Sequence, residues 1–331
     1  MPEPEPGSEL WQWRQVGPRL GGGHRVFPDV DDGFYLDDST RPPAVMDRRK
    51  AEQLLTLTAP PKRELGKAQI EAPWLVWTAQ SQGLPLLYDG FVENLQTGGG
   101  YPIAPPVAPA MSEPGDLKVS GGLVGYASKN DHGRYCLAIL DLAARDGRLV
   151  RCGQTRVDVF LEAELSSHGF AAIAATPRGG PTGCRTPVFT TDPTAERPQW
   201  DEIDLRRKCW AMTAVVGDGF VAWDEQDPQA EYKEVARLYA RTETGEKVEL
   251  GQDMAATLEP CGEWLYWKAN PVGDVEVVRR WKPGTGVEVV YRGSPRYAST
   301  DPVCHGDQMT LLETWVGSGQ LYDRLMEANI A

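Results

Sequence analysis

The chain has 331 residues, a formal charge of −13 and a sequence pI near 4.9. That acidic balance excludes electrostatic docking on nucleic acid, because neutralising phosphates needs a basic face. No apolar run approaches the ~18 residues of a membrane span. The opening MPEPEPGSELW has neither the basic nor the apolar segment of a secretory leader, so a cytoplasmic location is expected.

In chain order, residues 1–8 read as a disordered acidic, proline-containing tail and residues 9–331 as a single domain. LWQWRQV (Leu10 to Val16) and HRVFPDV (His24 to Val30) read as two strands joined by Gly21, Gly22 and Gly23. Then a motif begins to recur: a turn ending in glycine, or once in proline, leads into a short apolar stretch. The instances are VDDGFYL, IEAPWLVW, KVSGGLVGY, SSHGFAAIA, VGDGFVAW, EPCGEWLYW and VCHGDQMTLL, pivoting on Gly33, Pro73, Gly122, Gly169, Gly219, Gly262 and Gly306. Between the first two lies MDRRKAEQLLTL (Met46 to Leu57), which fits a strand pair better than a helix. The proline- and glycine-rich stretch from Gly98 to Pro114 is long for a turn and reads as a lid or docking loop. The fifth repeat is the clearest. FVAWDEQ and VARLYART precede the turn at Gly245, then KVELG, with an outer strand expected near Met254 to Leu258.

The pivots recur with the period of a four-stranded propeller blade. The reading is an all-β, seven-bladed β-propeller, with six or eight blades as alternatives because residues 33–122 are the least regular. After Gly306 only two strands remain, so the two N-terminal strands are expected to complete the last blade and close the ring. GDGFVAW followed by VARLYARTETGEKVEL resembles the TolB-like (WD40-like) propeller repeat, in which a P-D-G turn precedes one strand and an L-Y strand leads to a T-G-E turn. The match is good in the third, fifth and sixth repeats and looser elsewhere, with His168, Cys261 and His305 replacing the aspartate before glycine. That class implies several roles: docking of protein partners, gating of a peptidase domain, or metal-assisted cleavage of sugar acids as in cytoplasmic oligogalacturonate lyases.

If the strand after each pivot borders the channel, the preceding turns ring one mouth of it. Those turns supply Asp32, His168, Asp218, Cys261 and His305. Aspartate before glycine is an ordinary turn former, whereas histidine has no such excuse, so His168 and His305 are the candidate acid and base, with Asp218 or Asp224 as partner. At corresponding depth in the following strands lie Asp38, Thr78, Asp224 and Lys268. They read as a polar channel wall or as a structural Asp224–Lys268 ion pair. Asp32, Asp38, Lys268 and Cys261 are the candidate ligand-binding residues. One position earlier, Trp77, Tyr126, Trp223 and Trp267 fit packing between blades. The six cysteines show no C-x-x-C spacing, so free thiols are expected, although Cys136 and Cys152 lie on neighbouring strands and Cys261 or Cys304 at the rim would suit a nucleophile.

Two functions fit: a non-redox enzyme (lyase, cyclase, isomerase or hydrolase) acting on a small metabolite in the rim funnel, or a non-catalytic scaffold for a protein partner. No cofactor is expected. A divalent metal at the rim is left open, as is its identity. The expected partner is a small-molecule ligand, with no nucleic acid and no membrane, and the protein is expected to be a monomer.

Overall fold

The computed structural model describes residues 11–21, 34–37, 42–47, 52–83, 88–105, 107–109, 117–156, 158–175, 186–196, 198–203, 205, 210–225, 236–252, 258–272, 275–315 and 322–330. Their strands form seven antiparallel sheets. After β1 (Arg14–Gly21) comes a three-stranded sheet of β2 (Phe34–Asp37), β3 (Ala44–Asp47) and β4 (Glu52–Thr56). The next has four strands, β5 (Arg63–Glu71), β6 (Trp74–Ser81), β7 (Tyr88–Asn94) and β8 (Gly99–Pro102). Then come β9 (Lys118–Ser120), β10 (Leu123–Lys129), β11 (Tyr135–Asp141) and β12 (Asp146–Cys152), followed by β13 (Val159–Ser166), β14 (Gly169–Ala175), β15 (Val188–Thr191) and β16 (Asp201–Glu202). Two more sheets are β17 (Ala214–Gly217), β18 (Phe220–Glu225), β19 (Arg237–Thr242) and β20 (Lys247–Gln252), then β21 (Leu258–Cys261), β22 (Trp264–Val272), β23 (Val275–Trp281) and β24 (Glu288–Arg292). The last joins β25 (Tyr297–Ser299), β26 (Val303–His305), β27 (Gln308–Trp315) and β28 (Tyr322–Asn329) to β1.

Six of these sheets have four or five strands and are complete blades, against the seven complete blades that the sequence predicts. The shortfall falls in the β2–β4 sheet, which has three strands among the described residues, and His24 to Val30, the second strand expected to complete the last blade, lies outside them. Met46 to Leu57 does contribute a strand pair there, β3 with β4. Ring closure uses one N-terminal strand: β1 pairs with β28, beginning at Arg14↔Glu327. Trp11 and Trp13, just ahead of β1, are buried against Tyr266 and Tyr291 of the preceding sheet.

The repeat is framed one strand differently from the sequence reading. Leading strands of successive sheets touch, β5 with β9, β9 with β13, β13 with β17, β17 with β21 and β21 with β26, so they line the channel. Each is the strand before the recurrent turn, and the apolar stretch after it is the second strand, buried on both faces. The segment near Leu258 is therefore the first strand of a sheet and not the outer strand of the one before it. The physical signal is composition: KVS, LEPC and VCH are short and polar because they meet the channel, while LVGYAS and WLYWKA sit between neighbours.

The turn itself is a two-residue hairpin in every sheet where both flanking strands are described. The pairs Glu71↔Trp74, Ser120↔Leu123, Ser166↔Gly169, Gly217↔Phe220, Cys261↔Trp264 and His305↔Gln308 each enclose two residues. One form of such a turn matches the twist of the strands through positive φ at both central positions. Both central residues of the Gly121-Gly122 turn supply it. Aromatic residues of the second strands fill the space between sheets as expected. Trp267 packs with Phe220 and Leu238, Trp223 with Ile173 and Val188, and Tyr126 with Val76 and Val92. As far as Pro109 the described part of the stretch from Gly98 packs with the sheets: it supplies β8, then Ile103 and Val107 enter the core beside Tyr126, and Pro109 bridges to Ser128. Residues 110–116 lie outside the described residues.

Candidate functional site

Side chains alternate along a strand, so counting back by two from each hairpin along the leading strands defines tiers. The mouth tier holds Glu71, Ser120, Ser166, Gly217, Cys261 and His305. The second holds Gln69, Lys118, Glu164, Val215, Glu259 and Val303, and the third includes Glu162, Thr213 and Asp301.

Much of the mouth and second tier sews neighbouring sheets together. Leading strands of different sheets share no ladder, so their backbone groups need other partners. Gln69 Oε1 accepts from Val119 N at 2.7 Å, and the two oxygens of Glu71 accept from Gly121 N at 2.9 Å and Gly122 N at 3.1 Å. Ser166 Oγ donates to Val216 O at 2.6 Å. Glu259 Oε1 accepts from Cys304 N at 3.3 Å. At the same seam Cys261 and Cys304 form a disulfide with Cα atoms 5.9 Å apart.

These turns and tiers enclose a funnel of about 840 Å³, lined among others by Gln69, Trp74, Lys118, Ser166, Glu259 and His305. Its floor is a charged bridge. Lys118 Nζ, from β9, lies 3.1 Å from Glu259 Oε2 of β21 and 3.7 Å from Glu164 Oε2 of β13, a reach that crosses the ring. Glu164 is 6% exposed. Burial pushes its carboxyl above the usual range, Lys118 pulls it back and Glu259 pushes it up again. One tier deeper, Glu162 is raised well above the carboxylate range, by burial first and then by the charges of Glu164 and Asp224. The floor is thus a fixed ammonium between two carboxylates, with a carboxyl that favours its proton beneath.

Of the residues singled out in the sequence, Cys261 and His305 line the funnel. His168 and Asp218 are exposed on the tops of their hairpins and are not among its lining residues. Asp224 belongs to a second strand, where Oδ1 accepts from Met212 N at 2.7 Å and Thr213 N at 2.8 Å, pinning the chain that enters β17. Thr78 does the same in its own sheet, accepting from Lys67 N at 2.9 Å. Lys268 donates to Ser299 O at 2.8 Å and faces Glu276 Oε1 at 3.7 Å. The polar residues read as a channel wall are therefore clamps one strand out, and the expected Asp224–Lys268 pairing gives way to these contacts. Asp32 and Asp38 lie outside the described residues. The cysteine expectation is corrected as well: Cys136 pairs with Cys152 across β11 and β12, and Cys261 is bonded to Cys304, while Cys184 and Cys209 lie outside the described residues. Lys118, Glu162, Glu164 and Glu259 escaped the sequence reading because they precede the turns. Their alternation, as in E-A-E-L-S, was the available signal.

Solved structures with this arrangement are numerous. The β-propeller domain of the Trilobed protease from Pyrococcus furiosus matches with a TM-score of 0.54 at 11% identity, over 80% of this chain and 82% of that one. An oligogalacturonate lyase in complex with manganese matches with a TM-score of 0.53 at 11% identity, over 98% of this chain and 97% of that one. The chain has the β-propeller fold. An acylaminoacyl peptidase in complex with a chloromethyl ketone also matches, with a TM-score of 0.54 at 12% identity over 79% of this propeller, which spans only 44% of that enzyme. No family model and no curated protein matches the sequence. At these identities the likeness shows the β-propeller fold read from the sequence. Manganese in the lyase raises the question of a metal here. Among the described residues no three His, Cys, Asp or Glu side chains come together as a ligand set, so no step below uses one.

Proposed function

We propose that this propeller binds a small polar metabolite in its funnel and acts on it by proton transfer, without a redox cofactor. The observation that carries the reading is the floor, where Lys118 is held between Glu164 and Glu259 at the end of the funnel. The cavity above it has a size typical of metabolite sites. Lys118 and Glu259 meet the ligand there and fix its orientation. Glu164, its carboxyl raised by burial, sits beside Lys118 as a group that holds a proton more readily than an ordinary carboxyl and can serve in proton transfer. His305 on the wall is the second proton-transfer group. Hydrolases and a lyase share the fold, and at that level the analogy supports enzyme chemistry without choosing a reaction. The contact of β2 with β5 supports reading the three-stranded β2–β4 sheet as an incomplete further blade. Two disulfides favour an oxidising compartment over the cytoplasm expected from the sequence.

A metabolite panel scored by thermal shift tests the reading, with Lys118→Met and Glu259→Gln as controls. A hit should raise the melting temperature of the parent and not of the variants. Once a substrate is in hand, His305→Ala should cost roughly a hundredfold in turnover, the scale of a lost general acid or base. Hits that stabilise parent and variants alike, or full turnover in all three variants, would overturn it. A protein partner whose affinity ignores all three would favour the docking scaffold instead.

A further inference from the structure

The Cys261–Cys304 disulfide differs in kind from the other one. Cys136 and Cys152 face each other as a directly opposed pair on strands already joined by a ladder. Cys261 and Cys304 stand on leading strands of different sheets, 43 residues apart in sequence, and their bond is the covalent part of that seam. Both residues line the funnel. The two residues are not equally open: Cys261 is 6% exposed and packed beside Tyr266 and Met309, while Cys304 is partly exposed. The noncovalent part of the seam includes the Cys304 N–H to Glu259 hydrogen bond, and Glu259 is also the residue that receives Lys118 at the floor.

We propose that Cys261–Cys304 is a thiol-exchange site in the funnel wall, which a dithiol of small-molecule or thioredoxin-like class reduces to loosen the mouth. A thiolate of the dithiol attacks Cys304 Sγ, the sulfur of the more open residue, forming a mixed disulfide and releasing the Cys261 thiolate, which takes up a proton. The second thiol of the dithiol then attacks the mixed disulfide and releases Cys304. The dithiol leaves as its own disulfide, so two electrons and two protons pass to the protein. Reduction leaves the Glu259 bond and the apolar packing in place, so the seam loosens and the ring stays folded. The inference stands apart from the function proposed above, since it needs no substrate.

The experiment uses the full chain folded in a glutathione redox buffer. Peptide mapping under non-reducing conditions should show the 261–304 cross-link. Brief treatment with glutathione alone should leave its adduct on Cys304 in preference to Cys261. After dithiothreitol, hydrogen exchange should rise several-fold at residues 259–264 and 303–308 and stay unchanged in β6 and β7, with a cooperative melt retained. Free Cys261 and Cys304 in the oxidatively folded protein, adducts confined to Cys261, or identical rim exchange before and after reduction would each overturn the proposal. Cys304→Ser should reproduce the reduced exchange pattern; if that variant does not fold, reduction of the native protein in place gives the same answer.

Discussion

The seam between β5 and β9 and the seam between β21 and β26 solve one problem with different chemistry. Both must join leading strands that share no ladder. The first uses the side chains of Gln69 and Glu71 to receive three backbone N–H groups, so it can open and re-form without any reagent. The second uses a hydrogen bond from Cys304 N and a covalent bond, so it stays shut until a thiol arrives. A ring built this way has junctions of equal geometry and unequal reversibility, and ligand access is most simply regulated at the junction that needs a reagent.

Removing residues 1–21 tests the comparison most severely, because β1 closes the ring by a third device, a shared ladder with β28, and Trp11 and Trp13 leave with it. The truncated chain should lose its cooperative melt altogether, whereas removal of residues 1–8 alone should leave it intact. Opening the covalent seam comes next. Cys261 and Cys304 close a long loop. By loop-closure entropy such a cross-link constrains the unfolded chain by ~4 kcal/mol, so Cys304→Ser should lower the urea midpoint by a clearly measurable step. A midpoint equal to the parent's would mean that the bond does not form. At the hydrogen-bonded seam, Glu71→Ala strands both glycine N–H groups of the Gly121-Gly122 turn. The loss should cost about 1–3 kcal/mol, with Glu71→Gln recovering part of it. If Glu71→Ala proves harmless, water replaces the carboxylate and the two seams are not equivalent.

A smaller effect belongs to the floor. Glu162 binds its proton more tightly folded than unfolded, so the native state holds more protons and stability falls as pH rises from the ordinary carboxylate range through its raised value. Glu162→Gln should remove that loss: variant and parent should melt alike near pH 4, and the variant should melt higher near pH 8. The reverse order would show that the carboxylate is stabilised by a partner when charged. Smallest of all, His168→Ala should leave the melting temperature where it is, as expected for a side chain on an exposed hairpin top.

What could be read from the sequence, and what could not, separates along the same line. Glycine turns such as Gly121-Gly122 and the apolar strands after them are local signals, set by backbone sterics and by burial on both faces, and they led to the ring of sheets. Trp77, Tyr126, Trp223 and Trp267 were placed correctly for the same reason, since a large aromatic in a strand of that kind packs against its neighbour. The channel wall was misplaced because local pattern does not say which of two paired strands faces the axis. Taking the apolar strand as innermost put Asp224 and Lys268 on the channel wall, while short segments such as KVS, ELS and EPC passed as turn flanks. The cysteine pairing of Cys261 and Cys304 was equally hidden, since the two meet only when successive sheets are set side by side.

The Lys118 bridge has a kinetic corollary. Among the described residues the cavity stops at the second tier, and no third-tier side chain lines it. A ligand resting on that bridge, as proposed, would enter and leave past the same rim. On the function proposed above, substrate and product would share that passage, and clearing it would set the pace of turnover.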